Sequence, residues 1–331
     1  GHDKEPAGAV IPEPEHETIE VRADERFDEA AVATYLRGRL PGAEAPLSVR
    51  QFGGGAANLT YELDYGEHVY VLRRPPLGPI APKSHDMARE HAVLSRIHEV
   101  YDPAPRSFLL CEDDSLIGAP FFVMERRYGV VVRRRMPDAY AVFPDAALRL
   151  GEALIDGLAR LHAVDYATLG LEDLGKPVGF IERQVQGWFG RWERAKASEV
   201  PAMDVAHRWL TANVPVDSAP ALIHNDYKLD NSMFASEDPG RLVAVFDWDM
   251  ATLGDPLSDL GTLLTYWIDD DDPEEVRAFS PMPHDAVGFP SRDDVIEQYA
   301  RVSGRDVSNI GFYHVLGLYR VAVILAQIHI R

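Results

Sequence analysis

The sequence contains little cysteine and no long hydrophobic run. Cys111 is the only cysteine among 331 residues, so no disulfide can form within the chain and a cysteine-based zinc site is excluded. This composition fits a reducing compartment, and we expect a cytoplasmic protein. No stretch of ~18 uninterrupted apolar residues occurs, so we expect no membrane-spanning segment. The N-terminus also lacks the basic and apolar regions of a secretory signal.

Basic side chains are scarce relative to acidic ones. The chain has 33 Lys and Arg against 53 Asp and Glu, a net charge of −20. Such a surface repels nucleic-acid phosphates, so we expect no general nucleic-acid binding. It could attract a cationic substrate or simply keep the protein soluble. Hydrophobic residues make up 46% of the chain, the proportion of a globular protein with a packed core.

The apolar pattern changes from β-rich to helical near Arg135. Residues 1–20, rich in Glu and Pro, predict a flexible arm, and Gly1-His2 looks like the remnant of a cleaved tag. Strands are predicted at Leu47–Phe52, Leu59–Tyr65, His68–Arg74, Ser107–Leu110 and Phe121–Glu125, with helices at Phe27–Leu40 and Asp86–Val100. Later helices are predicted at Ala146–Val164, Ile181–Ala197, Met203–Asn213 and Phe312–Ile330, and a hairpin at Ser232–Ala235 and Leu242–Phe246.

These elements predict an α+β protein with two lobes. Residues 21–125 would form a small lobe around an antiparallel sheet, and residues 126–331 a larger, mainly helical lobe. A cleft between two such lobes is a natural place for a ligand.

The strongest motif is His224–Asn231, which matches H-x-D-x-x-x-x-N. In phosphoryl transfer the Asp of this pattern, here Asp226, accepts the proton of the acceptor hydroxyl, and the Asn, here Asn231, binds a metal ion. Beyond the predicted hairpin, Asp247 begins Asp-Trp-Asp, where kinases place the metal-binding Asp of D-F-G. Mg²⁺ prefers a few protein oxygens together with phosphate oxygens, so Asn231 and Asp247 are candidate magnesium ligands.

Three features of the predicted small lobe suit a nucleotide. Gly53, Gly54 and Gly55 lie between two predicted strands, followed by Asn58, and could either cover phosphates or form an ordinary hairpin turn. Arg73 on the third strand could pair with the phosphates. Glu90 on the next helix is its candidate partner, although Arg89 and Glu90 could equally be an exposed helical pair.

Two further segments have open interpretations. Met124 and Glu125 end the last small-lobe strand, where backbone groups could bind an adenine edge or simply continue a buried strand. Asp259 could brace the catalytic loop through backbone hydrogen bonds or cap its own helix. The acidic run Asp269–Asp272 is expected to be a solvated loop rather than a metal site.

Together these residues resemble the aminoglycoside phosphotransferase-like family of the kinase-like superfamily. The chain is most similar in pattern to the kinase-like domains related to those fused to some acyl-CoA dehydrogenases. Segments that also carry the resemblance are Val71–Pro76, Val123–Glu125, Leu158–His162 and Gly254–Asp259, and they follow the family's order from about residue 47 to the end. The resemblance implies a two-lobed protein-kinase-like fold, use of ATP and Mg²⁺, and transfer to a small-molecule hydroxyl. It also implies that Lys228 assists the transferring phosphate.

The sequence departs from the family pattern at two residues and at its end. Arg73 stands where relatives usually have lysine, and Asn225 where glycine or arginine is common. Relatives usually continue beyond the final apolar helix, so we expect a terminal segment to be missing. The acceptor could be aminoglycoside-like or a metabolic hydroxyl such as a hydroxyacyl thioester. A nucleotide-binding module with little activity, and a metal-dependent hydrolase built on His224, Asp226, Asp247 and Asp249, are the alternatives.

Overall fold

The computed structural model describes residues 18–53, 58–79, 85–216 and 218–330. Within these ranges the chain forms a two-lobed, kinase-like α+β fold. The small lobe is a six-stranded antiparallel sheet in the order β1-β2-β3-β4-β6-β5, with two helices. Its elements are β1 Thr18–Ile19, α1 Glu29–Leu36, β2 Ser48–Phe52, β3 Leu59–Asp64, β4 Val69–Arg74, α2 Met87–Ile97, β5 Ser107–Cys111 and β6 Phe121–Glu125.

Alternation along the strands divides the small lobe into two packed faces. Leu72 and Val123 belong to a cluster that includes Leu36 of α1. Their neighbours Val71 and Phe122 point the other way, into the large core shared with α2 and the second lobe. Because successive strand residues face opposite sides, one sheet both completes its own core and closes onto the large lobe.

The large lobe is mainly helical, with five short strands. Its elements are β7 Val130–Val131, α3 Ala146–His162, α4 Phe180–Ala195, α5 Pro201–Ala212, β8 Ala221–Ile223, β9 Ser232–Ala235, β10 Asp238–Val245, β11 Thr252–Gly254, α6 Pro256–Tyr266, α7 Glu274–Phe279, α8 Arg292–Ser303 and α9 Ile310–Ile330. Strands β8 and β11 pair with each other, and β10, β9 and β7 form a separate sheet. The predicted hairpin is therefore present, and it directly follows the catalytic loop.

Helix α9 is apolar enough, by length and composition, to cross a membrane. Its segment Ile310–His329 has a mean hydropathy of 1.4, and 44% of the tested window is buried. A buried core helix meets the same criteria, and α9 packs closely on α6. A β-carbon at Gly261 would lie 2.4 Å from the Tyr313 carbonyl oxygen, and one at Gly317 would lie 2.5 Å from Thr265 Oγ1. Glycine at both positions allows the two helix backbones to approach each other.

The element boundaries differ from the predictions at a few places. Helix α1 ends at Leu36 rather than Leu40, because Gly38 has a φ of +77° and turns the chain out of the helix. Thr18–Ile19, at the end of the predicted arm, pairs with β2, and residues 1–17 lie outside the described ranges. Helix α8 was not predicted, although Ser291 and Asp294 form a capping box at its start.

Candidate active site

The catalytic loop, His224–Asn231, follows β8, and the carboxylate of Asp259 binds its first two residues. Asp259 Oδ2 accepts hydrogen bonds from the His224 backbone N–H at 2.9 Å and from His162 Nε2 at 2.9 Å, and Oδ1 accepts from the Asn225 N–H at 2.8 Å. Burial alone would raise the pKa of Asp259, but these bonds hold it below its ordinary value. Of the two roles considered for Asp259, the bracing role is the observed one, and Asp255 caps α6 instead.

Asn225 occupies a backbone conformation that explains its residue type. Its φ is +72°, in the left-handed region where asparagine and glycine are favoured over other residues. Its side-chain Nδ2 donates to the Met250 carbonyl at 2.8 Å. The asparagine therefore supplies the turn that glycine provides elsewhere and adds a bond to the segment after Asp247.

Asp226 and Asn231 are in direct contact. Asn231 Nδ2 donates to Asp226 Oδ2 at 3.0 Å and to its backbone oxygen at 2.9 Å. Lys228 Nζ lies 3.8 Å from Asp226 Oδ1 and 3.8 Å from Asp230 Oδ2. Asn231 is turned so that its amide nitrogen orients the carboxylate, which leaves its Oδ1 as the group able to bind a cation.

His224 joins the catalytic loop to the segment that carries Asp247. Its Nδ1 accepts from the Asp226 N–H at 3.0 Å and its Nε2 donates to the Phe246 carbonyl at 2.7 Å, so these contacts define the tautomer. The Phe246 N–H donates in turn to the Asn231 carbonyl at 2.8 Å. Asp247 then has a φ of +63°, a conformation that costs energy for a non-glycine residue and that occurs preferentially at functional sites.

Arg73 links the two lobes at the centre of the cleft. Its Nε lies 3.1 Å from Glu90 Oε2, and its Nη2 donates to Asp247 Oδ1. Glu90 Oε1 also accepts from the Trp248 N–H at 3.2 Å. The pairing proposed from the sequence between Arg73 and Glu90 is present. The alternative of an exposed Arg89–Glu90 pair is wrong, because Glu90 is only 1% exposed.

Three carboxyl groups compete for the single guanidinium of Arg73. Burial would raise the pKa of Asp247, but the charge and hydrogen bond of Arg73 hold it below its ordinary value. Burial raises the pKa of Asp249 and raises that of Glu90 to about 8, because Arg73 only partly offsets the loss of water around them. Asp247 is therefore the member of this group whose pKa favours the charged form, which is the form that a cation ligand requires.

Most of the predicted site residues lie on one cleft of about 930 Å³. Those lining it are Asn58, Arg73, Met124, Glu125, Asp226, Lys228, Asn231 and Asp247. Glu90 lies behind Arg73, and Gly53 follows the cleft residue Phe52 with its carbonyl bonded to Arg22 Nη2 at 3.3 Å. Gly54 and Gly55 lie outside the described residues.

Several supporting residues have roles that spacing did not predict. Arg89 Nη1 donates to the Leu174 carbonyl at 2.8 Å and to the Ala251 carbonyl at 2.9 Å, both in the large lobe. Asn58 Oδ1 contacts His85 Nδ1 at 2.6 Å, and the Glu125 carboxylate binds Arg127 at 2.9 Å. No regular spacing in the sequence indicates these contacts, so only the folded chain reveals them.

The fold has two lobes, with an Asp–Asn catalytic loop, a second aspartate after a hairpin and the cation of Arg73 on strand β4. This combination defines a kinase-like phosphotransferase. The chain belongs to the phosphotransferase enzyme family, whose model matches residues 48–290.

The chain is similar to several known proteins. It is 33% identical over 326 residues to acyl-CoA dehydrogenase family member 11 of Rattus norvegicus, covering 95% of this chain and 41% of that protein. A solved structure from Ralstonia eutropha, provisionally named an aminoglycoside phosphotransferase, is 31% identical with a TM-score of 0.77, covering 92% of this chain and 89% of that one. A mutant aminoglycoside phosphotransferase solved with AMP-PNP and hygromycin B shares the fold, with a TM-score of 0.55, 18% identity, and 90% of each chain covered.

Proposed function

We propose that the protein transfers the γ-phosphoryl group of ATP to a hydroxyl group of a small molecule. The observation that carries this proposal is the contact between Asp226 and Asn231 on a braced loop, facing Asp247 across one cleft. In the reaction the hydroxyl proton of the acceptor passes to Asp226 while the hydroxyl oxygen bonds to the γ-phosphorus. The bond from that phosphorus to the β–γ bridging oxygen breaks, and ADP leaves.

The residues of the cleft fit a bound magnesium ion and nucleotide. Asp247 and the Oδ1 of Asn231 would hold Mg²⁺, which supplies neutralisation of the phosphate charge when bound. Arg73 would face the phosphates, Asn58 and Gly53 would lie above them, and Met124 and Glu125 would border the base. The fold neighbour solved with AMP-PNP supports a nucleotide in this cleft.

For the acceptor we propose a metabolic hydroxyl, such as that of a hydroxyacyl thioester. The name of the Rattus norvegicus relative supports this choice, since most of that longer protein lies outside the region of similarity and is named a dehydrogenase of acyl-CoA. An aminoglycoside-like acceptor is the alternative.

The two alternatives make different predictions. A metal-dependent hydrolase needs three or more clustered ligands, and among the described residues no group of three His, Cys, Asp or Glu could hold a metal ion. A nucleotide-binding module without activity would follow if Arg73 stayed bound to Asp247 when the nucleotide was present and so did not support phosphoryl transfer.

The direct test is transfer of labelled phosphate from γ-labelled ATP, with Mg²⁺, to a panel of hydroxyacyl thioesters, sugars and aminoglycosides. A phosphorylated product formed by the native protein and not by Asp226→Asn supports the proposal. Nucleotide binding without transfer to any acceptor, unchanged when Arg73 is replaced by lysine, supports the inactive module.

A further inference from the structure

One wall of the cleft is lined by cationic side chains that have no acidic partner. The group, called the cationic wall below, consists of Arg133, Lys176, Arg183 and Arg191. Among the described residues none of the four forms an ion pair within 4.0 Å, although the chain carries 20 more acidic than basic groups. Four cationic side chains without a direct ion pair among the described residues therefore line the cleft of a strongly acidic protein.

Several other arginines that line or border the cleft are paired with acids. Arg126 contacts Glu62 at 3.0 Å, and Arg127 binds Glu125 at 2.9 Å. Arg73 contacts two carboxylates at once. The four members of the cationic wall line the same cleft without such a pair in the described part of the chain.

Arg133 brings the cationic wall next to the catalytic loop. Its Nε is buried and, within the described chain, has no hydrogen-bond partner. Its charge acts on Asp230, the residue whose carboxylate lies 3.8 Å from Lys228 Nζ. A buried donor without a partner costs free energy, and a bound oxygen atom would remove that cost.

Arg191 and Arg320 lie against the ring of Trp188. Their guanidinium carbons are 4.5 Å and 5.5 Å from the centre of that ring. Burial lowers the pKa of Arg191, and the charge of Arg320 lowers it further. Arg320 Nε is also buried without a partner among the described residues. Two like charges near one ring repel each other, and an anion placed between or beside them would reduce that repulsion.

The cationic wall is separate from the region expected to hold the nucleotide. It is formed by α4 and by the segments around Arg133 and Lys176 in the large lobe, whereas Arg73 and Asn58 belong to the small-lobe sheet and its loop. Asp226 and Lys228 line the same cleft as both regions. An acceptor that presents its hydroxyl to Asp226 would therefore extend along the cationic wall.

We propose that the acceptor carries an anionic oxygen group, a carboxylate or a phosphate, and that Arg133 and Arg191 hold it. This inference rests on the proposed function and specifies its acceptor class. Guanidinium groups suit both anions because they donate paired hydrogen bonds to planar or tetrahedral oxygens. A polycationic acceptor would be repelled by the same surface.

Binding can be measured without turnover. Isothermal titration calorimetry in saturating AMP-PNP and Mg²⁺ would use inorganic pyrophosphate and succinate as the two anionic probes, with choline as the cationic control. Arg133→Gln and Arg191→Gln should each weaken the preferred anion about 10-fold or more, the effect of one charge-assisted hydrogen bond. Arg194→Gln changes a neighbouring arginine of α4 that does not line the cleft and should leave binding unchanged.

Stronger binding of pyrophosphate indicates a phosphate group on the acceptor, and stronger binding of succinate indicates a carboxylate. Failure of both anions to bind better than choline overturns the inference, as does an equal effect of all three substitutions. The proposed function is tested separately: arginine-dependent anion binding without any phosphoryl transfer would leave this inference standing and remove the kinase activity. Transfer with kcat/KM unchanged in Arg133→Gln and Arg191→Gln would support the kinase activity and overturn this inference.

Discussion

Arg73 Nη2 donates a hydrogen bond to Asp247 Oδ1, joining two residues 174 positions apart on opposite sides of the cleft. The same guanidinium lies 3.1 Å from Glu90. One cation therefore fixes strand β4, helix α2 and the segment after β10 relative to one another.

Replacing Arg73 should destabilise the protein strongly. In Arg73→Gln the carboxylates of Glu90 and Asp247 lose their buried cation, and we expect the free energy of unfolding to fall by about 3–5 kcal/mol. Urea unfolding followed by tryptophan fluorescence measures the change. Arg73→Lys keeps the charge but cannot contact both acids through separate nitrogens, so its loss should be smaller. Equal stability of native protein and Arg73→Gln would contradict this role.

Asp226→Asn should abolish catalysis while leaving the fold intact. The amide keeps the size of the side chain but cannot accept the hydroxyl proton, so kcat should fall by about 10²–10⁴-fold. ATP affinity, measured by calorimetry, should be unchanged because Asp226 does not touch the proposed nucleotide groups. Asp249→Asn is the matched control, since this acid lines the same cleft, and it should retain most of the activity. A dead Asp249→Asn with an active Asp226→Asn would show that Asp226 is not the catalytic base.

Asp247→Asn should remove the magnesium dependence of nucleotide binding. Loss of one of the two proposed ligands weakens the metal, so ATP should bind with similar affinity with and without Mg²⁺. Titrations of AMP-PNP at several Mg²⁺ concentrations measure this. If Mg²⁺ still strengthened AMP-PNP binding as much as in the native protein, Asp247 would not be a ligand. Arg73→Lys provides a comparison in which the acid remains and only its partner changes.

Asp259→Asn should alter stability with a defined dependence on pH. The pKa of Asp259 is lowered in the folded protein, so its contribution is present above the unfolded pKa of about 4 and is lost as pH falls through the folded value. The amide leaves the N–H groups of His224 and Asn225 poorly paired, and we expect a loss of about 2–4 kcal/mol at pH 7.

The difference between native protein and Asp259→Asn should shrink as the pH falls below about 4. Urea unfolding at a series of pH values gives the comparison, and Asp255→Asn, which keeps an oxygen for the helix cap nearby but removes its charge, controls for general effects of losing an acid in this region. A difference independent of pH would show that the charge of Asp259 is not involved.

Alanine should have opposite effects on stability at two helix glycines, one at the contact between α6 and α9 and one on α4. Alanine at Gly261 would place its β-carbon 2.4 Å from the Tyr313 carbonyl oxygen, so Gly261→Ala should destabilise by about 1–3 kcal/mol despite its better helix propensity. Gly187→Ala, in α4 with open space around it, should stabilise by up to about 1 kcal/mol. Thermal unfolding of both variants tests the pair, and stabilisation by Gly261→Ala would mean that the helices are not in close contact.

Much of the fold could be predicted from local sequence patterns. Phe121–Glu125 begins with four buried apolar residues, a short run typical of a buried strand, and α3 has a regular apolar face, so the positions of both follow from the local pattern. The catalytic loop was found because Asp226 and Asn231 are close in sequence. The short strands Val130–Val131 and Thr252–Gly254 were not predicted, since two or three residues contain no periodicity.

The connections between distant segments could not be predicted in the same way. His162 contacts Asp259 across 97 residues, and nothing in the local sequence of either specifies the other. The cationic wall is equally invisible in the sequence, because its members come from separate segments and are cationic in a chain of opposite net charge. Such contacts depend on tertiary packing rather than on local preference.

The hydrogen bonds of Arg89 bear on how the enzyme can move. Since Arg89 belongs to α2, next to Glu90, and donates to two carbonyls of the large lobe, α2 cannot rotate outward without breaking both bonds. Kinases that are switched by swinging this helix need it to be loosely attached. Here the helix is anchored to the large lobe by both bonds, so turnover would respond to the supply of ligands rather than to a signal that repositions α2.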